Sequence, residues 1–371
     1  MVDHPRLALG ARRLAVHAGT GRAAGGKAER EIDTPSGRLS VMKRRAILAG
    51  IAALLAPRAL MAQAPSRDGP RRLGVLMGNL ADDPVGQTYT ASLTQGLHAL
   101  DWQEGGNLRI DWRWAGGDPA LFDRYATELV ELGPDVLLAQ ASPSVVALRR
   151  KTSMIPIVFT MVTDPVGQGF VENLARPSGN ITGFSDFNAL MAGKWLEMLT
   201  QVAPPVARVA VLYNPATAPY AALMMRAIED AAPSFAITAQ SAPCHDAAEI
   251  QAMMAELARG ERGGLLVLTD IFTIVHRDTI LASAAQHRLP TVYFARSFTT
   301  AGGLMSYGID YADLFLRSAA YIDRILKGAS PRDLPVQQPT KFELVINLKT
   351  AKERGISLST TLLATADEVI E

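Results

Sequence analysis

The side chains best suited to covalent chemistry are few and badly placed for it. Cys244 is the only cysteine, and His245 follows it directly. A thiol and an imidazole can form a nucleophile and its base, but neighbours in sequence seldom face each other. A working pair also needs an orienting third group and an oxyanion site. A lone cysteine forms no internal disulfide and joins no cysteine metal cluster. Of the six histidines, His4 and His17 fall in the N-terminal stretch, and His98, His245, His276 and His287 are scattered without metal-ligand spacing. No Gly-x-Ser-x-Gly, P-loop or post-strand Gly-x-Gly-x-x-Gly pattern occurs. The expectation is therefore no catalytic residue, no metal and no cofactor.

What remains is a set of polar residues in short loops: Gly78-Asn79, Ser142-Pro143-Ser144, Thr163-Asp164-Pro165, Asn214-Pro215, Thr269-Asp270 and Ala295-Arg296-Ser297. Such residues bind ligands without reacting with them, and helix N-termini in the same loops offer free N–H groups to an anion. Taken singly, each loop reads more simply as a helix cap or a turn. Together they matter because each follows an apolar run of strand length.

Those runs are Leu73–Met77, Leu108–Trp112, Val136–Ala139 and Ile157–Met161, alternating with helical stretches over Gln87–Leu100, Pro119–Leu132 and Pro143–Thr152. A second series has strands Val209–Tyr213, Ala236–Ser241, Gly264–Leu268 and Thr291–Phe294, with helices Ala189–Val202, Ala218–Ala231, Ala247–Arg259 and Ile274–His287. A helix over Leu314–Lys327 and a strand over Glu343–Leu348 follow. Alternating strands and helices imply an α/β fold with parallel sheets covered on both faces. Two such series imply two Rossmann-like lobes whose strand ends line a shared cleft, because ligands of these sheets bind beyond the carboxyl ends of the strands.

Length and charge agree. The 371 residues suggest two domains, and 48% hydrophobic residues suffice for large cores without disulfides. The net charge of +1 hides an asymmetry. Residues 1–64 hold eleven Lys/Arg and four Asp/Glu, leaving 26 basic and 32 acidic residues beyond them. A mildly acidic body argues against nucleic acid as a partner. Within the N-terminal stretch, Met42-Lys43-Arg44-Arg45, the apolar run Ala46–Ala56 and Ala62-Gln63-Ala64 have the order of a signal peptide over 42–64, cut after Ala64. The run is too short to span a bilayer. The arginine pair fits an ordinary charged n-region and leaves a twin-arginine route open. Residues 1–41 read as a mis-called start or a disordered leader. The exported protein is expected in the periplasm.

Several motifs carry a family resemblance: Ile155-Pro-Ile-Val-Phe159, Asp164-Pro-Val-Gly167, Leu174-Ala-Arg-Pro177, Gly179-Asn-Ile-Thr-Gly-Phe-Ser185, Gly302-Gly-Leu-Met-Ser-Tyr-Gly308, Leu334-Pro-Val336 and Gln338-Pro-Thr-Lys-Phe-Glu-Leu-Val-Ile-Asn-Leu-Lys-Thr-Ala351. Over Arg72 to Glu371 the chain resembles the ABC transporter substrate-binding proteins whose studied relatives bind aromatic amino acids such as tryptophan or phenylalanine. The resemblance implies the type I periplasmic-binding fold with three crossovers, near Asn180–Ser185, Gly303–Gly308 and Pro339–Phe342. It places lobe 1 at 72–182 with 306–339, and lobe 2 at 184–303 with 342–371. It implies a small-molecule ligand, an amino acid or similar, and an ABC permease as partner, with the protein itself a monomer and not an enzyme.

On that frame, Ser142 and Ser144 would meet an acidic group of the ligand and Asp270 an ammonium. Thr163 and Asp164 would sit beside the first crossover, Asn214, Tyr293 and Tyr307 would line the walls, and Asn79 completes the ligand-binding set. Two other readings use the same fold: a sensing subunit of a signalling system, and a periplasmic α/β enzyme.

Overall fold

Two Asp-Pro steps start the first helices. Asp83 and Asp118 each accept a backbone N–H through the side chain, and Pro84 and Pro119 occupy the first helical turn, where a missing N–H costs nothing. Such local rules repeat along the chain, which is a computed structural model describing residues 69–186 and 190–371. The expected leader (1–41) and signal peptide (42–64) lie outside the described residues.

In chain order the first half holds β1 (Arg71–Met77), α1 (Pro84–His98), β2 (Leu108–Trp114), α2 (Pro119–Glu131), β3 (Val136–Gln140), α3 (Ala141–Lys151), β4 (Ile157–Val162) and β5 (Ile181–Ser185). These strands form one parallel sheet of order β2-β1-β3-β4-β5. The chain continues through α4 (Leu190–Thr200), β6 (Val202–Ala203), β7 (Arg208–Tyr213), α5 (Ala221–Ala231), β8 (Thr238–Pro243), α6 (Ala247–Arg259), β9 (Gly263–Val267), α7 (Ile271–Val275), α8 (Arg277–Gln286), β10 (Thr291–Tyr293), α9 (Arg296–Thr300) and β11 (Met305–Gly308). Then come α10 (Tyr311–Leu326), β12 (Glu343–Asn347), α11 (Leu348–Arg354), β13 (Ser357–Leu358), α12 (Thr360–Ala364) and β14 (Glu368–Ile370). The second sheet has the order β14-β12-β11-β10-β9-β7-β8, parallel except where β12 meets β11.

Both sheets repeat one plan. The order β2-β1-β3-β4-β5 matches β8-β7-β9-β10-β11, so each reverses direction of growth at one place, between β1 and β3 and between β7 and β9. Such a switch point leaves a crevice at the carboxyl ends of the strands. The strands are buried on both faces, as parallel sheets are: β3 and β4 are buried at every residue.

The chain changes sheet three times. β5 pairs with β4, so the first crossing begins beyond Ser185. β11 pairs with β10 and β12 in the second sheet, so residues 306–308 lie in that sheet, and the crossing expected near Gly303–Gly308 comes after Gly308. A strand following the β10–α9 turn finds its hydrogen-bond partners in the sheet it has just left, which keeps it there. α10 then packs on α1 so closely that a Cβ on Gly96 would lie 2.6 Å from the Leu316 carbonyl oxygen. The return runs beside the first crossing, with Gln337 N–H donating to Gly183 O and Ser185 N–H to Gln337 O. Among the described residues no helix is long and apolar enough to cross a membrane.

Candidate functional site

The carboxyl ends of the two sheets meet. A Cβ on Gly78 would lie 2.6 Å from Ile271 Cδ1 across the cleft, and the Tyr311 hydroxyl lies 3.3 Å from Thr269 Oγ1. The clamp is closed on itself, and the strand-end loops are its interior.

On the first-lobe side, three residues other than glycine adopt left-handed backbone at the ends of β3 and β4: Ala141 (φ 63°), Met161 (φ 57°) and Asp164 (φ 47°). Such conformations cost energy and cluster where a loop is held for a purpose. Ala141 turns the chain directly from β3 into α3. Ser142 and Ser144 thus sit in the first helical turn, both buried. Ser142 Oγ accepts from Gln168 Nε2 at 2.9 Å, and Gln168 Nε2 also donates to Thr163 O. Thr163 Oγ1 donates to Asp186 Oδ1 at 2.8 Å. This chain of contacts leaves three buried atoms without hydrogen-bond partners among the described residues: Ser144 Oγ, Gln168 Oε1 and Asp186 Oδ2. Buried polar atoms are nearly always paired, so unpaired ones in a cleft mark a place for a guest.

The second-lobe side is built on the ends of β7 and β9. Asp270 is 1% exposed, and both its oxygens are occupied. Oδ2 accepts from Asn214 N–H at 2.8 Å and Oδ1 from Phe272 N–H at 3.2 Å, capping α7. Asn214 in turn closes its own turn, its Oδ1 accepting from Ala216 N–H. The Tyr220 hydroxyl donates to Thr269 O at 2.6 Å, within electrostatic reach of Asp270 and Asp186.

The electrostatics follow from burial. Loss of water pushes Asp186 up from its ordinary value to about 6, against the stabilising hydrogen bonds from Thr163 and its own backbone. Asp270 is likewise pushed to about 6 by burial, opposed by Thr217 and three backbone N–H groups. Burial, and then the nearby carboxylates of Asp270 and Asp186, hold Tyr220 well above the usual phenol range. Among the described residues neither carboxylate has a cationic side chain paired with it. Each carboxylate is thus buried without a charge partner of its own.

The remaining expected site residues fare differently. Asn79 stands at the first switch point, but its amide is committed: Oδ1 accepts from Gln140 Nε2 at 2.5 Å and Nδ2 donates to Asp83 Oδ2 at 2.6 Å. Asp164 caps its own turn through Gly167 N–H. Tyr293 is fully buried within lobe 2, stacked on Phe298 with ring centroids 5.0 Å apart. Tyr307 stacks on Phe342 and borders a peripheral groove with Lys194, Glu197 and Thr361. The expectation that Tyr293 and Tyr307 line the cleft is thus corrected. Strand-end position does not decide direction, because successive strand residues alternate faces. The tyrosines that do reach the cleft are Tyr220 and Tyr311, each at the start of a helix. Asp186 follows β5 directly and obeys the same strand-end rule, but β5 reads in the sequence as a crossover rather than a strand.

Two lobes with parallel sheets, strand ends apposed across a buried polar enclosure, and three crossings define a type I solute-binding clamp. Residues 81–370 match the family model of the ABC transporter substrate binding protein, so the chain belongs to that family. It is 26% identical over 285 residues to a tyrosine-binding protein of Clostridioides difficile, covering 77% of this chain and 81% of that protein. Among solved structures it resembles a Streptococcus ABC domain in complex with L-Trp (26% identity, TM-score 0.75, covering 81% of this chain and all of that one). It also resembles a conserved domain protein of Vibrio cholerae (31% identity, TM-score 0.75, covering 81% and 99%).

Proposed function

We propose that the protein is the periplasmic solute-binding component of an ABC importer, that it captures an amino acid by hinge closure, and that it hands the closed complex to a membrane permease. Membership of the substrate-binding family supports capture and delivery. The signal pattern at 42–64 supports export.

The observation that carries the amino-acid reading is Asp186: a carboxylate 1% exposed, with one oxygen unpartnered and no cationic side chain paired with it among the described residues. A ligand ammonium would neutralise it. In this reading Asp186, and not Asp270, receives the ammonium, because the oxygens of Asp270 already hold the Asn214 loop and α7. The ligand carboxylate would meet Ser144 Oγ and the N–H groups that open α3, where the helix dipole favours an anion. A cavity of about 200 Å³ adjoins Ser142 and Thr217 and is walled by Phe122, Pro143, Val146 and Pro219, with Asp123 and Arg150 also on its lining. It offers an apolar side chain room. The relatives named for tyrosine and tryptophan support an aromatic one.

The test is a thermal-shift screen of the purified protein against the common L-amino acids and a set of simple carboxylates lacking an amine. An amino acid that stabilises the protein where carboxylates do not supports the reading, because a ligand of the native state stabilises by mass action. Stabilisation by amine-free carboxylates alone would overturn it.

A further inference from the structure

Arg277 opens α8, at the end of a helix that repels a positive charge. It is nonetheless held with its side chain only 16% exposed. Asp278 beside it, at 3.4 Å, offsets part of the repulsion from the solvent side. Its other partner lies in the opposite lobe: Arg277 Nη1 is 3.4 Å from Asp83 Oδ1, whose side chain is 10% exposed. We propose that Arg277 and Asp83 form an inter-lobe latch that sets the closed fraction of the clamp, and so its affinity, without touching the ligand. The proposal rests on the solute-binding reading above.

The geometry has the two features a latch needs. Each half is satisfied when the lobes part. Asp83 keeps Val85 N–H at 3.1 Å and Asn79 Nδ2 at 2.6 Å, both from its own lobe. Arg277 keeps Asp278 and gains water. Breaking the pair therefore unfolds nothing. The latch is also wired to the site. Asn79, which holds Asp83, is held by Gln140, whose Oε1 accepts from Gly78 N–H at 2.8 Å. Gly78 is the residue that meets Ile271 of the opposite lobe. One hydrogen-bonded chain thus joins the latch, the β1 and β3 strand ends and the lobe contact. A charge pair closed away from water can stabilise an interface, and removing one partner leaves the other buried and uncompensated.

A closed state that becomes rarer lowers apparent affinity in the same proportion. Two spin labels, at Glu131→Cys and Arg259→Cys on the exposed outer ends of α2 and α6, would report lobe separation by pulsed electron resonance, with L-tyrosine as the binding probe. Arg277→Gln and Asp83→Asn are each expected to move the ligand-free distance distribution toward the longer population and to weaken L-tyrosine binding about tenfold. The double variant should be no worse than the worse single one. Asparagine still caps α1 but turns its amide N–H2 toward Asn79 Nδ2, so a modest fall in melting temperature is expected for Asp83→Asn and none for Arg277→Gln. Unchanged distances in Arg277→Gln would overturn the latch. So would additive losses in the double variant, because residues acting through one contact do not add. Should L-tyrosine fail to bind the parent protein, the amino-acid reading is what fails. The ligand-free distances still decide the latch.

Discussion

Replacing Asp186 by asparagine separates affinity from stability in a direction that few cleft substitutions share. The rise of its carboxyl from 3.8 to about 6 corresponds to about 3 kcal/mol of unfavourable charging in the ligand-free fold at neutral pH. Asparagine keeps an oxygen to accept from Thr163 Oγ1 and carries no charge to desolvate. Some of the gain is lost because its amide N–H groups replace an unpartnered oxygen, at about 1–3 kcal/mol. The ligand-free melting temperature of Asp186→Asn at pH 7.5 should therefore hold or rise by a few degrees. Affinity for an amino acid should fall at least about thirtyfold, since a buried charge pair deprived of one partner costs about 2 kcal/mol or more. Calorimetric titration and differential scanning calorimetry on both proteins read the two quantities. Unchanged affinity, or a melting temperature that falls with it, would refute the reasoning: the first removes the ammonium contact, the second makes Asp186 a structural brace.

Three further outcomes follow from the same geometry. Ionised Asp186 is the form that an ammonium favours, so binding should be full above pH 6 and weaken as pH falls through it, by about tenfold between pH 7.5 and 5.0, and Asp186→Asn should flatten this profile. Asp270→Asn should leave the ligand-free melting temperature within a few degrees of the parent's, because relief of the same unfavourable charging as at Asp186 offsets the about 1–3 kcal/mol lost when an amide N–H2 faces the Asn214 or Phe272 N–H; thermal melts check it, and a large fall would show that the loop needs both carboxylate oxygens. Gly78→Ala should weaken binding with little loss of stability in the ligand-free protein, because the new methyl meets Ile271 only when the lobes are shut, and titration at matched melting temperature distinguishes this from unfolding.

The alternation of apolar runs and amphipathic stretches was enough to read both sheets and most helices, because parallel strands buried on both faces leave long apolar signatures. Asp83-Pro84 and Asp118-Pro119 mark their helix starts as cap chemistry requires, although α1 opens three residues before Gln87. What could not be read were short strands at the edges of the crossovers that carry a glycine. Ile181–Ser185 and Met305–Gly308 contain glycines and look like hinges, and only their pairing with β4 and with β10 and β12 makes them strands. That error hid Asp186, which is a strand-end residue only if β5 is a strand. Direction was the other gap. Ser142, Ser144, Thr163, Asn214 and Asp270 stand after β3, β4, β7 and β9 and are all buried. Tyr293 and Tyr307 share that kind of position but point into lobe 2 and a peripheral groove. Tyr220 and Tyr311 gave no sequence signal beyond standing at helix starts. Their hydroxyls find the cleft because the helices α5 and α10 begin at its rim.

The central claim is that the closed cleft recognises the charged ends of an amino acid through Asp186 and the start of α3. Calorimetric titration of the protein with L-tyrosine, beside the same molecule lacking its amine, 3-(4-hydroxyphenyl)propionate, tests it in one comparison. Saturable one-to-one binding of L-tyrosine, at least about thirtyfold tighter than the amine-free analogue, is the predicted result. Equal affinity for the two would contradict the account.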